Sequence, residues 1–334
     1  MSRAVVTGGC GFIGSHLVER LLADGHQVIV LDNFVTGRRA NLAEVIGHPG
    51  LTIHLADVTL ADAIRPLIDG ADWVFHLAAL ADIVPSIQKP LDYHRANVDG
   101  TIAVLEAARA AGARRFIYTA SSSCYGIPDH YPTTETAPIR PQYPYALTKW
   151  IGEQLALHWA QIYKLPVVSL RLFNVYGPRS RTSGAYGAVF GVFLAQKLAN
   201  QPFTVVGDGS QTRDFTFVTD VVDAFVRAAE STVQGAVFNI GSGGTYPISQ
   251  LVSLLGGPVI HVPKRPGEPD CTFADTRLAR ARLGWSPKVD FEEGVRRMLA
   301  QMEDWRAAPV WTPERIADAT KEWFQYLSPT PAAR

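Results

Sequence analysis

The stretch VVTGGCGFIGSHL, residues 5–17, contains four glycines, and three of them follow one another at intervals of three residues between a β-rich run and an amphipathic segment. These three glycines are Gly8, Gly11 and Gly14. A turn that brings the backbone close to a pyrophosphate requires residues without Cβ, and the helix that follows supplies amide donors and a positive dipole end. Three glycines also occur in ordinary turns, so the interpretation depends on the order strand, glycines, helix. This order predicts a dinucleotide cradle in a parallel α/β fold.

Asp32 ends the second β-rich run, QVIVLD, at residues 27–32. A carboxylate at this position accepts hydrogen bonds from ribose hydroxyls and repels a 2′-phosphate. The sequence therefore predicts NAD rather than NADP as the cofactor.

Short β-rich runs alternate with amphipathic helical patterns through the first half of the chain. The β-rich runs lie at residues 4–8, 27–32, 51–57, 72–79, 114–121 and 165–173, and the helical patterns include 15–25, 97–113 and 145–164. This alternation predicts a doubly wound parallel (Rossmann) α/β sheet with helices on both faces, and ligands in such sheets bind beyond the carboxyl ends of the strands.

The pattern becomes irregular after a segment rich in Gly, Pro, Arg and Ser at residues 174–187. We therefore expect an NAD-binding domain over residues 1–174 and a smaller C-terminal α/β substrate-binding domain over residues 175–334. A strand near 237–242 is expected to return to the main sheet. The tail 312–327 predicts one terminal helix with Thr312 as N-cap and Pro313 in its first turn, and no chemistry is assigned to it.

The composition predicts a soluble cytoplasmic globular protein and gives no indication of binding to nucleic acid or membrane. Lys and Arg total 31, Asp and Glu also total 31, and 47% of the 334 residues are hydrophobic. A balanced charge gives no steering toward polyanions, and no apolar run approaches the length of a membrane span. The three cysteines are far apart in the sequence, have no metal-ligand spacing and are typical of a reducing compartment. No metal is expected.

A tyrosine and a lysine in YPYALTK form the predicted catalytic base. Tyr145 and Lys149 are four residues apart and so share a helix face. A nearby ammonium and the positive nicotinamide ring both favour the phenolate, which lowers the tyrosine pKa toward the working range. Ser121, at the end of the preceding strand, is placed to contact the same substrate hydroxyl. His76 is expected to be a packed strand histidine rather than a base.

Seven motifs give the chain a family resemblance: TGGCGFIG, DVT, HLAA, ASSSCYG, YALTK, RLFNVYGPR and RDFTFVTD. From about residue 3 to about residue 300, the chain resembles the extended short-chain dehydrogenase/reductases that act on nucleotide sugars. The resemblance implies a tightly bound NAD, a nucleotide-sugar substrate and a homodimer. It implies that the cofactor is contacted by Gly8, Gly11, Phe12, Ile13, Gly14, Asp32, Asn33, Thr36, Gly37, Asp57, Val58, Leu77, Ala78, Ala79, Asn97, Tyr145, Lys149 and Phe173.

The same resemblance implies a set of substrate contacts: Ser121, Ser122, Ser123, Asn174, Val189, Thr204, Val206, Arg213, Arg265, Glu268 and Thr272. Within it, the arginines and Asn174 match diphosphate contacts, and Glu268 matches a ribose-binding acid. Thr204 and Val206 fall in the uracil pocket. Val189 and Phe190 depart from the polar uridine contacts of the galactose epimerases. Thr272 matches a gate position, where a small side chain leaves room for an N-acetylated sugar.

The residues after Ser121 distinguish the reactions of this family. Ser121 aligns with the family's catalytic Ser/Thr, and the 4,6-dehydratases carry Asp-Glu at the next two positions, where this chain has Ser122 and Ser123. Hydroxyls cannot do a carboxylate's acid and base work at neutral pH. The sequence therefore favours 4-epimerisation of UDP-Glc/Gal or UDP-GlcNAc/GalNAc through a 4-keto intermediate.

Several alternatives remain open. They are a UDP-glucuronate 4-epimerase or decarboxylase, a heptose-nucleotide dehydrogenase, a 4,6-dehydratase and a non-catalytic NAD-binding sensor. Arg181 lies near the sugar region of the sequence, where it offers a partner for a substrate carboxylate.

Overall fold

A computed structural model describes residues 1–180 and 186–328 of the chain. Its strands are β1 (Arg3–Thr7), β2 (Gln27–Asp32), β3 (Leu51–Leu55), β4 (Trp73–His76), β5 (Arg115–Ser121), β6 (Val167–Leu172), β7 (Val175–Tyr176), β8 (Phe203–Val206), β9 (Thr212–Arg213), β10 (Thr216–Phe217), β11 (Ala236–Ile240), β12 (Tyr246–Pro247) and β13 (Val259–Val262).

The α-helices of the same ranges are α1 (Phe12–Ala23), α2 (Ala61–Ile68), α3 (Ile83–Gln88), α4 (Pro90–His94), α5 (Gly100–Ala110), α6 (Pro144–Tyr163), α7 (Val189–Leu198), α8 (Val218–Glu230), α9 (Ile248–Leu255), α10 (Arg277–Leu283), α11 (Phe291–Ala300), α12 (Pro313–Ala319) and α13 (Lys321–Leu327). A π-helical turn, Arg95–Asp99, joins α4 to α5. No helix in these ranges is both long enough and apolar enough to cross a membrane.

Seven strands form one sheet in the order β11-β6-β5-β4-β1-β2-β3, and every neighbouring pair is parallel. This confirms the predicted doubly wound sheet. The carboxyl ends of its strands therefore share one edge, and the strand order reverses between β1 and β4. Thr7, Asp32 and Ser121 all end strands at this edge.

The sheet is buried on both faces by helices. On one face α1 and α8 pack against each other, with Leu17 and Phe225 fully buried in their shared core. On the other face α2, α5 and α6 pack in sequence, and Val104 and Phe116 are buried there. Burial on both faces explains why the strands read as continuous apolar runs.

A second core lies in the C-terminal part of the chain. It is built largely from α7, α9 and α11, and the aromatic side chains of Phe190, Phe215 and Phe291 pack face to face or edge to face within it. The chain returns to the first core at α8 and β11, where β11 pairs with β6. The two cores are therefore built from interleaved segments, and the domain boundary near residue 174 stays a prediction.

The predicted single terminal helix is wrong in one respect, because the structure divides it into α12 and α13. Thr312 does cap α12, accepting a hydrogen bond from the Arg315 amide at 3.4 Å, and Pro313 is in the first turn. The break is at Thr320, whose backbone leaves the helical region at φ −96° and ψ 5°. The Ile316 carbonyl accepts two hydrogen bonds from Thr320, one from its hydroxyl at 2.7 Å and one from its amide at 2.9 Å.

A buried ion pair fastens α6 to the sheet. Glu153 of α6 and Arg171 of β6 are 1% and 4% exposed, and the guanidinium donates to both carboxylate oxygens at 2.5–3.2 Å. Ser169 donates a further hydrogen bond to Glu153 at 2.9 Å. Because the pair is dry and fully hydrogen-bonded, removing one partner leaves an uncompensated charge in the core.

Glu153→Gln is therefore expected to lower the free energy of unfolding by ~3–5 kcal/mol, since Arg171 keeps its charge without a partner. The control is Glu303→Gln, which breaks an exposed pair with Arg306 on the surface and is expected to change stability by no more than ~0.5 kcal/mol. Urea denaturation of the three proteins measures both values. Equal stability of the two variants would contradict this account of the pair.

Candidate active site

A cavity of about 930 Å³ opens along the carboxyl edge of the sheet. It runs from the glycine loop after β1 to the loop after β13, so it crosses from the first core to the second. The predicted site residues that line it are Gly8, Gly11, Phe12, Ile13, Gly14, Asp32, Asn33, Thr36, Asp57, Val58, Leu77, Ala78, Ala79, Ser121, Ser122, Ser123, Tyr145, Lys149, Asn174, Val189, Thr204, Val206, Arg213, Arg265 and Glu268. Gly37, Asn97, Phe173 and Thr272 lie outside the lining.

The glycine loop leaves no room for side chains. Gly8 has φ +68°, and a Cβ on it would lie 2.8 Å from the Ala78 amide nitrogen. A Cβ on Gly14 would lie 2.2 Å from the Gly8 carbonyl oxygen. The helix α1 begins at Phe12 without a side-chain cap, so its first amides are available to a ligand. The loop thus fits the pyrophosphate of a dinucleotide.

Asp32 is held in place by two backbone amides at the end of β2. One carboxylate oxygen accepts from Cys10 at 2.9 Å and the other from Phe34 at 2.8 Å. Burial raises the pKa of Asp32, and these two bonds act in the opposite direction. Each oxygen keeps a lone pair for a ribose hydroxyl. Gly37 backs directly onto this carboxylate, because a Cβ there would lie 2.7 Å from an oxygen of Asp32.

Ser121 and Tyr145 both line the middle of the cavity, and the Ser121 side chain is close enough to influence the pKa of the phenol. The Ser123 amide donates to the Ser121 hydroxyl at 3.2 Å, which fixes that oxygen at the strand end. Ser121 in turn donates to the Ser123 hydroxyl at 3.0 Å. The structure therefore brings together a fixed hydroxyl and a phenol, both facing the cavity.

The pKa values correct one expectation. Burial raises the pKa of Tyr145, and the Ser121 side chain opposes this only in part, so the protein groups alone do not lower it. Burial also lowers the pKa of Lys149 to about 7, despite the opposing effect of Glu153. The second contribution expected from the sequence, the lowering of the Tyr145 pKa by an oxidised nicotinamide ring, stays a prediction.

His76 lies in the core as expected. Its two ring nitrogens are hydrogen-bonded to the hydroxyls of Thr7 at 2.8 Å and Thr101 at 3.0 Å. It is 1% exposed, and burial lowers its pKa to about 3. The ring is therefore a neutral structural group between two strands and a helix.

Asn97 and Phe173 stand behind the cavity wall rather than in it. The π-helical turn points Asn97 at Leu80, where its amide accepts from the backbone nitrogen at 2.8 Å and donates to the carbonyl at 2.9 Å. Leu80 itself lines the cavity. Phe173 is 2% exposed and packs on the Tyr125 ring. Both residues thus shape the wall by holding the segments that form it.

The opposite end of the cavity carries a cluster of three charges. Arg213 donates to Glu268 at 3.0 Å, and the Nε of Arg265 lies 3.0 Å from the other oxygen of the same carboxylate. Two guanidinium groups to one carboxylate leave net positive charge, which suits a diphosphate. The acid expected to bind ribose therefore also orients both arginines.

Thr272 is behind Asn174. Its hydroxyl donates to Asn174 Oδ1 at 2.6 Å and accepts from the Asp214 amide at 3.0 Å. Asn174 lines the cavity and Thr272 does not. Thr272 therefore contacts the side-chain amide of Asn174, and the Thr272 side chain itself does not face the cavity directly.

Two aromatic residues of the cavity wall were not identified from the sequence. Tyr186 and Trp323 line the cavity, and the Arg265 guanidinium lies between their rings at 5.2 and 5.3 Å from the centroids. Trp323 comes from α13, the tail to which no chemistry was assigned. Asp82, next to α3, also lines the cavity. Arg181 lies outside the described residues.

Comparison with known proteins gives consistent relatives. The model of the NAD dependent epimerase/dehydratase family matches residues 4–241. The chain is 40% identical to the UDP-glucose 4-epimerase of Mycolicibacterium smegmatis over 302 residues, covering 88% of this chain and 96% of that protein. It is 34% identical to the UDP-glucuronic acid decarboxylase 1 of Arabidopsis thaliana over 313 residues, covering 90% of this chain and 70% of that protein.

A solved structure is similar along most of its length. The UDP-glucuronic acid 4-epimerase from Bacillus cereus, in complex with UDP-glucuronic acid and NAD, matches with a TM-score of 0.84 and 31% identity. The match covers 90% of this chain and 99% of that chain. Together with the NAD-dependent family match, it confirms NAD as the cofactor predicted from the sequence.

Gly14→Ala is expected to weaken NAD binding by at least about tenfold, because the new Cβ displaces the Gly8 carbonyl in the cradle. Gly47→Ala is the control, since a Cβ at Gly47 meets nothing within 4 Å. NAD retained after purification, and NAD titration of the stripped proteins, measure the effect. Unchanged NAD affinity in Gly14→Ala would mean that the pyrophosphate does not sit on this loop.

Lys149→Met is expected to raise the melting temperature of the nucleotide-free protein at pH 7. The folded pKa of Lys149, about 7, lies below its ordinary value of 10.5, so the unfolded chain binds a proton that the folded chain lacks between these values. The contribution of Lys149 to wild-type stability therefore rises with pH over this window, and the advantage of the variant shrinks toward pH 10. Melting curves from pH 6 to 10 test this, with Lys89→Met as an exposed control. A difference in melting temperature between wild type and Lys149→Met that stays constant from pH 6 to pH 10 would contradict a lowered pKa of Lys149 in the folded protein.

Proposed function

The chain belongs to the NAD-dependent epimerase/dehydratase family, and we propose that its reaction is the 4-epimerisation of a nucleotide-activated hexose. UDP-glucose and UDP-galactose, with their N-acetylated counterparts, are the proposed substrates. One observation carries the proposal. At the cavity the Ser121–Tyr145 pair is flanked by Ser122 and Ser123, so hydroxyls occupy the positions where a dehydratase needs carboxylates.

The protein's part in the reaction is to move one proton and hold one oxygen. NAD held by the glycine loop and Asp32 would supply the hydride acceptor, and then the hydride donor, for C4 of the sugar. Tyr145 takes the proton of the 4-hydroxyl in the first half and returns it in the second, as a general base and then a general acid. Ser121 and Tyr145 line the same part of the cavity, and we propose that their two oxygens share one substrate hydroxyl there. Because the hydride is returned, net redox change is nil.

Dehydration requires more than this pair supplies. Loss of the C6 hydroxyl needs an acid to protonate it and a base to take the C5 proton. The hydroxyls of Ser122 and Ser123 remain neutral at physiological pH and do neither. With the 4-keto sugar formed and no such groups on this strand end, rotation and reduction are the remaining steps.

Rotation needs a sugar held loosely and a nucleotide held firmly. The charges in the cavity support this division, since Arg213, Arg265 and Glu268 cluster at the end away from the glycine loop. We propose that the arginines and Asn174 bind the diphosphate, and that Thr204 and Val206 flank the base. The middle of the cavity, by contrast, offers the sugar mainly short hydroxyl side chains from the serine run.

A uronic acid substrate is the second candidate. It is favoured by the similarity to a decarboxylase and to a glucuronic acid 4-epimerase. Both reactions start from the same oxidation at C4 and so use the same Ser121–Tyr145 pair. The two candidates are distinguished by the product formed from a UDP-hexuronate.

We also propose a homodimer through α5 and α6 with the residues just before them. Large apolar side chains stand exposed there: Leu91 is 69% exposed, Leu147 43% and Ile162 51%. Burying such side chains against a second copy removes apolar surface from water. The family resemblance implies the same helices.

Incubation of the purified protein with UDP-, GDP-, CDP- and dTDP-sugars, followed by NMR of the products, tests the reaction. We expect inversion at C4 of a UDP-hexose without loss of water or carbon dioxide. Tyr145→Phe is expected to reduce the rate by about 10²–10⁴-fold, whereas Tyr163→Phe, at the exposed end of the same helix, leaves it unchanged. A 4-keto-6-deoxy sugar or a pentose as the product would overturn the proposal.

A further inference from the structure

The chain continues beyond the part that carries the family resemblance, which ends at about residue 300, and returns to the site. Helix α13 packs against α3, whose first residues line the cavity. Trp323 of α13 is 2% exposed overall, and it lines the cavity between the catalytic and the charged ends. A tail that ended as a surface helix would not place its largest side chain there.

On one side Trp323 holds the loop that carries the charged cluster. Its indole nitrogen donates to the Pro266 carbonyl at 2.7 Å. Its ring forms one face of the aromatic sandwich around Arg265. Arg265 is in turn the ion-pair partner of Glu268. The position of this arginine therefore depends on a hydrogen bond and a cation–π contact from α13.

On the other side Trp323 supports the catalytic pair. Its ring packs against Tyr143 with centroids 6.1 Å apart, and the Tyr143 ring is stacked parallel to Tyr145 at 6.5 Å. The Tyr143 hydroxyl lies near the Ser123 side chain, which influences the pKa of the phenol. Ser123 is the residue whose amide fixes the Ser121 hydroxyl. Tyr143 also precedes the first residue of α6.

We infer that Trp323 is a positioning residue that couples the nucleotide-binding loop at residues 264–268 to the serine run and Tyr145. One indole touches both halves of the site, so the loop and the catalytic pair are ordered together. This inference deepens the proposed function and rests on it for the following consequence. The same side chain closes the space between diphosphate and sugar, which retains the 4-keto sugar while it turns.

Loss of the keto sugar has a distinct signature. Oxidation moves the C4 hydride to the cofactor and the hydroxyl proton to Tyr145, and reduction reverses both transfers. A keto sugar that leaves before reduction is two electrons more oxidised than the substrate. The enzyme is then left with reduced cofactor and no keto sugar to accept the hydride. The frequency of escape is the number of enzyme molecules left with reduced cofactor divided by the number of completed turnovers.

Hydrogen–deuterium exchange of the NAD-loaded protein tests the coupling without any substrate. Trp323→Ala is expected to speed amide exchange by at least about tenfold both in residues 264–268, which lose a direct contact, and in residues 121–126, because Tyr143 loses the ring that supports it. Trp323→Phe keeps the ring but removes the bond to Pro266, so it should speed exchange mainly in 264–268. Tyr326→Ala, at a 64% exposed position of the same helix, is the control. Faster exchange in one segment alone in Trp323→Ala would overturn the coupling.

Kinetics on the converted nucleotide sugar supply the second readout. Trp323→Ala is expected to raise KM about tenfold, the size of a lost hydrogen bond with a cation–π contact, and to accumulate reduced cofactor faster per turnover than Tyr326→Ala. Equal accumulation would remove the retention role. Coupled exchange in a protein that inverts no sugar would contradict the proposed function while leaving the coupling in place.

Discussion

The ion pair between Glu153 and Arg171 is the contact on which the rest of the site depends. Tyr145, Lys149 and Glu153 follow one another at intervals of four residues on one face of α6, so fixing Glu153 fixes the rotation of the helix about its axis. Arg171 also donates to the Tyr125 hydroxyl at 2.7 Å, and Tyr125 donates to Asn239 at 2.7 Å. The pair thereby joins α6, β6, the turn after β5 and the edge strand β11 in one dry network, directly behind Ser121.

Much of the fold and the cofactor half of the site is predictable because each signal is local. Each of these motifs spans only a few residues: the glycine loop, Asp32 at a strand end, and the Tyr145–Lys149 spacing on one helix. The parallel sheet then brings the carboxyl ends of its strands to one edge. Contacts that join distant segments leave no such signal. In the sequence Glu153 is indistinguishable from an ordinary charged residue on a helix surface, and only the structure shows that it pairs with Arg171. The family resemblance implies that Asn97 contacts the cofactor, whereas in the structure its side chain is hydrogen-bonded to the backbone of Leu80.

The part of the cavity that is predicted to bind substrate follows a different rule. Its residues come from loops and short elements whose neighbours are set by tertiary contacts, so their types suggest roles but not positions. Thr272 is 98 residues from Asn174 in sequence and donates to it, and Trp323 is 57 residues from Pro266. The pKa of Tyr145 shows the same dependence, because burial, which spacing does not reveal, outweighs the effect of the Ser121 side chain.

We propose that hydroxyls around the Ser121 and Tyr145 side chains limit the reaction to removal and return of one hydride at the same carbon. UDP-glucose carrying deuterium at C4 distinguishes this reaction from dehydration when the label is located by NMR after incubation in ordinary water. We expect UDP-galactose with the deuterium retained at C4 and no solvent hydrogen incorporated into the ring. Deuterium found at C6, or exchanged with solvent, would contradict it.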